Sequence, residues 1–182
     1  REYLPLKQQA KGEDPVVKAE RDLKGRKIPG FFPTPPAARD NLLAAADIQP
    51  GHDVWEPNAG AGHLIDDIKQ NHPEAKVTAH EVSREFSDVL HAKGHDVEFG
   101  DALEHKGQYD RIVMNPPFEK RQDAAHVRHA FDQLKPGGRL VAIMSSGTLS
   151  SSTGAAADFQ QWLDDVGGTA EQLPAGSFAG SD

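Results

Sequence analysis

A double-proline corner is the feature of this chain that most directly indicates chemistry. The sequence Asn-Pro-Pro-Phe, residues 115–118, follows the segment 109–114, which is predicted to be a buried strand. Two successive prolines continue neither a strand nor a helix, because both lack an N–H group and both have a fixed φ angle. The chain therefore leaves the strand through a rigid corner. This corner holds an amide side chain, backbone carbonyls and an aromatic ring in fixed positions.

A glycine-rich turn, residues 56–63 (EPNAGAGH), lies between a predicted strand and a predicted helix. Gly60 and Gly62 allow the backbone to approach a ligand, and the start of the helix offers free N–H groups. The turn has neither the Gly-Lys-Ser/Thr of a Walker loop nor the third glycine of a dinucleotide fingerprint. Glu56 would also repel a phosphate, so the turn favours a ligand with a cationic or amino group.

Two further acids stand at the ends of later predicted strands. Glu81 follows Gly62 by 19 residues, which suits an acid that accepts hydrogen bonds from both hydroxyls of a ribose. Asp101 ends the third strand, where it can meet the amino group of an adenine. Each acid alone is equally typical of a solvated strand end. Together with the glycine turn, they favour a ligand with a ribose, an adenine, no phosphate and an amino or sulfonium end, such as S-adenosylmethionine.

The elements that position these motifs alternate between strand and helix five times. This alternation predicts an α/β fold: a Rossmann-like, mostly parallel sheet with helices on both faces. Thr34 is predicted to cap the first helix of this pattern, with Pro35 at its first position and Ala46 near its end. Right-handed crossovers place ligands at the carboxyl ends of such strands, near the switch point. Each motif described above lies at such a strand end.

Other segments are expected to be structural. Residues 145–154 are rich in Ser and Gly and are predicted to form a loop, and residues 170–173 a short strand. His126 and His129 lie three residues apart on one face of a predicted amphipathic helix. No third residue accompanies them at the spacing of a metal site. We therefore expect exposed helix residues here and no bound metal.

Length and composition exclude several classes of protein. The 182 residues are enough for one domain with a hydrophobic core. No run of 18 apolar residues occurs, so no membrane-spanning segment is expected. The chain has no cysteine, which excludes disulfides, thiolate zinc sites and cysteine nucleophiles. Together these observations favour a cytoplasmic location.

Charge is distributed unevenly along the chain. Residues 1–30 hold eight Lys or Arg and five Asp or Glu, a net charge of +3, whereas residues 31–182 hold twelve and twenty-three, a net charge of −11. The overall charge of −8 argues against strong nucleic-acid binding by the domain alone, because neutralisation of phosphates drives such binding. We interpret residues 1–30 as a polar, basic lead-in segment.

These motifs, in this order, resemble those of class I S-adenosylmethionine-dependent methyltransferases. The resemblance is closest to enzymes that methylate an exocyclic amino nitrogen, chiefly adenine N6 in DNA, and it covers roughly residues 31 to 145. It implies that residues 31–182 form the catalytic domain, with S-adenosylmethionine as the cofactor. It implies as catalytic residues Asn115, Pro116, Pro117 and Phe118. It implies as cofactor-binding residues Phe32, Thr34, Pro35, Glu56, Asn58, Ala59, Gly60, Gly62, Glu81, Asp101 and Ala102.

The chemistry of the corner agrees with this resemblance. An aryl amino group is a poor nucleophile, because its lone pair is delocalised into the ring. The side-chain oxygen of Asn115 and the carbonyl of Pro116 are expected to accept hydrogen bonds from the two N–H groups of this amine. These hydrogen bonds direct the lone pair of the nitrogen at the sulfonium methyl. Phe118 is expected to stack on the base, and a base within duplex DNA must be flipped out to reach it.

The sequence leaves several substrates and roles open. Adenine of RNA, cytosine N4 and protein glutamine also present a planar NH₂ group, although relatives that modify glutamine typically have Tyr at the position of Phe118. Methylation at cytosine C5 requires a thiolate that this chain lacks. A catalytically inactive cofactor-binding module is a further alternative.

The resemblance is incomplete towards the carboxyl end. No separate target-recognition region fits in the chain, and the last strand of the family's sheet is not evident. We therefore expect low sequence specificity, or recognition by flanking segments or a partner protein. The chain is expected to be part of a longer polypeptide, and enzymes of phages and mobile elements offer an analogy for its role.

Overall fold

A five-stranded parallel sheet forms the centre of the molecule in a computed structural model that describes residues 12–26, 28, 31–174 and 177. The strand order is β3-β2-β1-β4-β5. The strands are β1 (Asp53–Glu56), β2 (Lys76–Glu81), β3 (Glu98–Phe99), β4 (Tyr109–Met114) and β5 (Leu134–Ala142). The helices are α1 (Pro15–Lys24), α2 (Pro36–Ala46), α3 (His63–Asn71), α4 (Ser87–Ala92), α5 (Gln122–Phe131), α6 (Ser146–Ser150) and α7 (Gly154–Asp165). This architecture confirms the predicted Rossmann-like fold.

The strand order places a topological switch point between β1 and β4. The chain runs outward from β1 through β2 to β3 and then crosses to β4 on the other side of β1. The connections after β1 and β4 therefore diverge, and a crevice opens at the carboxyl ends of these two strands. The glycine-rich turn follows β1 and the double-proline corner follows β4, so the fold brings the two motifs together at this crevice.

Apolar side chains cover both faces of the sheet, because successive residues of a strand point to opposite faces. Val54 belongs to a buried cluster with Leu42 of α2 and Ile68 of α3. Trp55 belongs to a second cluster on the other face with helices α5 and α7. Helices on both faces hold β1 rigidly in the middle of the sheet.

The amino-terminal segment contributes to the packing of the domain. Ala19 and Leu23 of α1 pack against a third buried cluster that includes Leu90 of α4. Lys93, at the end of α4, lies 3.1 Å from a carboxylate oxygen of Glu20. Residues 1–11, 27, 29 and 30 of the predicted lead-in lie outside the described residues.

The start of α2 differs from the prediction. The N-cap residue is Pro35, and Pro36 occupies the first helical position. Thr34 does not cap the helix, because its hydroxyl accepts a hydrogen bond from the side chain of Asn115 across the crevice. The predicted end of this helix at Ala46 is confirmed.

Two predictions about the carboxyl-terminal half are wrong. The Ser-rich segment contains helix α6, because the Ser145 side chain caps it by accepting from the Thr148 N–H group. Residues 170–173 form no strand; the described chain is irregular there, and the sheet has five strands within the described residues. None of the helices in the described part of the chain combines the length and apolar character that a membrane crossing requires.

A buried carboxylate connects α5 to the segment after β5. Asp123, which is fully buried, accepts hydrogen bonds from the Ser145 N–H and hydroxyl groups at 2.9 and 3.0 Å and from the Thr148 hydroxyl at 3.0 Å. These bonds fix the first turn of α5, which follows the double-proline corner, to the carboxyl edge of the sheet.

We expect Asp123→Ala to lower the free energy of unfolding by about 2 to 4 kcal/mol, because it leaves buried donors without an acceptor. Urea denaturation measures this difference. Asp132→Ala removes an exposed acid at the end of the same helix and is expected to change stability by less than about 0.5 kcal/mol. Equal losses in the two variants would contradict a structural role for the buried carboxylate.

Candidate active site

The crevice at the switch point forms a cavity of about 320 Å³. Thirteen of the fifteen residues predicted for the site line it: Phe32, Thr34, Glu56, Asn58, Ala59, Gly60, Glu81, Asp101, Ala102, Asn115, Pro116, Pro117 and Phe118. The other two lie beside it. Pro35 is the N-cap residue of α2, and Gly62 is the N-cap residue of α3. The fold therefore gathers motifs from four separate strand ends around one cavity.

The glycine-rich turn is folded tightly beneath the cavity. Gly60 and Gly62 have φ angles of 52° and 81°, in the left-handed region that side chains disfavour. A Cβ atom at Gly60 would lie 2.8 Å from the ring of Phe31, and one at Gly62 would lie 2.8 Å from the ring of His95. Gly60 thus allows the ring of Phe31 to pack against the turn, whereas Gly62 allows His95 and Leu90 to pack against the start of α3.

Glu81 joins the ends of β1 and β2. Its buried carboxylate accepts hydrogen bonds from the N–H groups of Gly60 and Ser83, each at 2.7 Å. Burial raises the pKa of Glu81, and these backbone hydrogen bonds oppose the rise. A carboxylate can accept about four hydrogen bonds, so acceptor capacity remains for a ligand.

Glu56 is a buried acid with an unused oxygen. Only 1% of its surface is exposed, one oxygen accepts from the Asn58 N–H group at 3.3 Å, and the other has no partner in the described part of the chain. Burial, followed by repulsion from Glu81, raises the pKa of Glu56 to about 8. The side-chain oxygen of Asn58 is also buried, and no described residue donates to it. The floor of the cavity therefore offers the Asn58 oxygen as an acceptor, and Glu56 becomes a second acceptor when a cationic ligand favours its ionised form.

The double-proline corner presents a third unused acceptor. The Asn115 side-chain nitrogen donates to the Thr34 hydroxyl at 2.8 Å and to the Phe32 carbonyl at 3.5 Å. Because a carbonyl can only accept, these contacts orient the NH₂ group of the amide towards the segment before α2. The Asn115 oxygen is left buried and without a partner among the described residues.

Apolar side chains that sequence reasoning missed form the outer wall of the cavity. Val82 directly follows Glu81 and is 71% exposed, and Leu103 lies two residues after Asp101. Asp101 itself is exposed, and its carboxylate accepts from the Leu103 N–H group at 2.9 Å. Val82 and Leu103 each follow a strand-end acid by one or two residues. This position is the sequence signal that could have identified them as part of the wall.

His126 also lines the cavity, which contradicts the expectation of an exposed helix residue. It is buried, and this burial lowers its pKa. His129 is half-buried, and its Nε2 atom pairs with the His105 carbonyl at 2.8 Å. The helical pattern placed both residues on α5, but contacts with other segments of the fold decide their burial.

A group of possible metal ligands lies elsewhere, on the Trp55 face of the sheet. The ligand atoms of His80, Glu98 and His105 lie within 4.8 Å of one another. The Trp55 N–H donates to His80 Nδ1 at 2.9 Å, so the proton of neutral His80 is on Nε2. Burial lowers the pKa of His80, which favours this neutral form. Since Nε2 then has no lone pair for a metal, we interpret the group as a packed polar cluster.

Comparison with known proteins identifies the family. The model of the methyltransferase small domain matches residues 41–162, a span that runs from α2 to α7. The chain belongs to the methyltransferase small domain family. This assignment confirms the expected fold and the expected cofactor, S-adenosylmethionine.

Three known proteins resemble this methyltransferase domain in sequence or in fold. The modification methylase CviBIII of Paramecium bursaria Chlorella virus NC1A is 30% identical over 100 residues, which are 50% of this chain and 26% of that enzyme. A candidate RNA methyltransferase, PH1948 of Pyrococcus horikoshii, is 26% identical with a TM-score of 0.58 over 72% of this chain and 73% of that one.

The third relative resembles the methyltransferase domain in fold alone. It is the methyltransferase subunit of a type I restriction-modification system from Streptococcus thermophilus, 15% identical with a TM-score of 0.63 over 85% of this chain and 44% of that one. The domain thus spans about a quarter of the curated relative and less than half of this subunit.

The pKa of Glu56 predicts a pH dependence of stability. The unfolded chain releases this proton near pH 4.5, whereas the folded domain retains it until about pH 8. Between these values the folded state binds the extra proton, so Glu56 makes the domain less stable as the pH rises through this window.

We therefore expect the stability gained by Glu56→Gln to increase between pH 5 and pH 8, by on the order of a few kcal/mol. Urea denaturation of both proteins across this range measures the difference. Glu74→Gln changes an exposed acid and is the matched control. A constant difference between Glu56→Gln and the unsubstituted domain would show that Glu56 is ionised throughout.

Proposed function

We propose that this domain transfers a methyl group from S-adenosylmethionine to an exocyclic amino nitrogen, and that this nitrogen is adenine N6 of DNA. The observation that carries the proposal is the buried, unpartnered oxygen of Asn115 at the rigid corner after β4. A buried acceptor without a partner costs about 1 to 3 kcal/mol, and a bound N–H donor removes this cost.

The cavity fits the cofactor in size and in the chemistry of its walls. Its volume lies within the range of about 300 to 1,000 Å³ of small-molecule sites. The unpartnered oxygens of Glu56 and Asn58 suit the ammonium group of the cofactor, and a bound cation favours the ionised form of Glu56. We assign Glu81 to the ribose hydroxyls and Asp101 to the adenine amino group.

The remaining predicted residues of the cofactor site complete its walls. We assign to this role Phe32, Thr34, Ala59 and Ala102, which line the cavity, and Pro35 and Gly62, which support it from α2 and α3. The apolar side chains of Val82 and Leu103 join this set, because they provide exposed apolar surface beside the two strand-end acids. Such surface suits the faces of a purine ring.

The double-proline corner binds and orients the amine that receives the methyl group. When bound, the cofactor supplies an electrophilic methyl group on a sulfonium sulfur. The Asn115 oxygen and the Pro116 carbonyl accept hydrogen bonds from the two N–H groups of the target amine. These hydrogen bonds withdraw the lone pair of the amine nitrogen from the ring. Thr34 holds the Asn115 amide in the orientation that this requires. Because an amide is not a base, the proton lost by the methylated amine passes to water.

DNA is the favoured substrate because the viral relative is a modification methylase and shares 30% identity over half of this chain. Phe118 lines the cavity beside the corner, where its ring can stack on a flipped base. RNA adenine is the second candidate, since the Pyrococcus horikoshii relative is described as a candidate RNA methyltransferase and matches 72% of this chain. Sequence specificity is low or is supplied by segments or partners outside this chain.

Product analysis tests the substrate. The domain is incubated with isotopically labelled cofactor and unmethylated DNA or RNA. The nucleic acid is then digested to nucleosides, which are separated and identified by mass spectrometry. We expect label in N6-methyladenine from DNA. Label in N4-methylcytosine, or in RNA alone, would contradict the assignment to DNA adenine, and absence of label from both polymers would contradict the proposed function.

Substitution of Asn115 tests the mechanism. We expect Asn115→Ala to reduce the rate of transfer on the order of 100-fold or more, because it removes an acceptor of the target amine. Binding of the cofactor, measured by calorimetry, is expected to persist. Asn115→Asp is the matched variant, since it keeps an acceptor oxygen at the corner and should retain more activity than the alanine variant. Loss of cofactor binding in Asn115→Ala would indicate a structural role for the corner.

A further inference from the structure

Two cations directly follow the catalytic corner. Lys120 and Arg121 are exposed, and they come immediately after Phe118 and Glu119, which line the cavity. Neither forms an ion pair with an acid in the described part of the chain. Arg39, a cation that lines the cavity, differs from them because it pairs with Asp67 and donates to the Thr34 carbonyl. Lys120 and Arg121 are therefore available to an external anion.

The backbone at these two residues is unusual. Lys120 and Arg121 have φ angles of 51° and 58°, successive left-handed conformations that cost about 1 to 2 kcal/mol per residue for side chains other than glycine. This pair separates the corner from α5, which begins at Gln122. Conformations of this kind cluster at functional sites, where the surrounding structure maintains them. The fold thus keeps two cations between the cavity and the first turn of α5, which the buried Asp123 anchors.

The surrounding charge makes a local cation necessary for a polyanionic substrate. The chain has a net charge of −8, and the cavity is lined by acids, including Glu56, Glu81, Asp101 and Glu119. A nucleic acid that delivers a base to this cavity brings its phosphates towards a negative surface. Unpaired cations beside the cavity mouth offset this repulsion where the polymer must lie.

We propose that Lys120 and Arg121 form a phosphate-contacting surface that holds the nucleic-acid strand on either side of the flipped base. This inference rests on the proposed function and adds the contact that makes an acidic domain competent for a polyanion. Because such contacts go to the backbone, the surface contributes affinity and not sequence specificity.

The test uses variants that alter charge with little change in side-chain size. Lys120→Gln/Arg121→Gln removes both charges, and Lys120→Arg/Arg121→Lys keeps them. The matched control is Lys69→Gln/Lys76→Gln, which removes two exposed cations at the end of α3 and at the amino end of β2, away from the cavity. Affinity for a fluorescent adenine-containing DNA duplex is measured over a range of salt concentrations, and cofactor affinity is measured by calorimetry to confirm folding.

We expect Lys120→Gln/Arg121→Gln to make the slope of log affinity against log salt less negative by about 1 to 2, since each lost phosphate contact contributes roughly 0.9 on duplex DNA. Cofactor affinity should remain unchanged in all variants. The charge-preserving pair and the control pair should keep the slope of the unsubstituted domain.

The outcomes separate this inference from the proposed function. If the unsubstituted domain methylates DNA but the glutamine pair keeps the full salt slope, the surface is wrong and the proposed function stands. An equal loss of salt slope in the control pair would also contradict the proposed surface. Binding of polyglutamate as tight as that of the DNA duplex would contradict it too, because it would indicate an acidic protein as the partner. If the domain transfers no methyl group to DNA or RNA, both proposals are wrong.

Discussion

Buried oxygen atoms without partners are the constraint on which this site depends. Glu56, Asn58 and Asn115 each hold an oxygen atom at the cavity that has no partner among the described residues. Each one costs about 1 to 3 kcal/mol, so the surrounding structure must prevent these side chains from turning towards an easier partner. The rest of the fold can be understood as the means of holding these three oxygen atoms in place until a ligand binds.

Parallel strands provide most of that support. β1 is covered on both faces, and the turn that follows it is fixed to the end of β2 by the bond between Gly60 and Glu81. On the other side of the switch point, two prolines limit the backbone after β4, and Thr34 orients the amide of Asn115. The acceptors that we assign to the cofactor and to the target amine in the proposed function therefore belong to one rigid edge of the sheet.

Electrostatics divides the site into two regions with different roles. Acids surround the cavity, and the proton retained by Glu56 up to about pH 8 limits their mutual repulsion before a ligand binds. The unpaired cations at Lys120 and Arg121 lie just outside, after the corner. An acidic cavity suits a cationic cofactor, and a cationic margin suits a polyanion. Under the proposed function, one small domain binds two ligands of opposite charge.

The sequence by itself determined the alternation of strands and helices from β1 to β5, the rigid corner and the strand ends near which Glu56, Glu81 and Asp101 lie. These features follow from proline geometry, glycine turns and hydrophobic periodicity, all of which act over a few residues. Only the tertiary structure decided that Thr34 pairs with Asn115 instead of capping α2. It also decided which acceptors stay unpartnered and that His126 is buried, because these depend on contacts between residues that are distant along the chain.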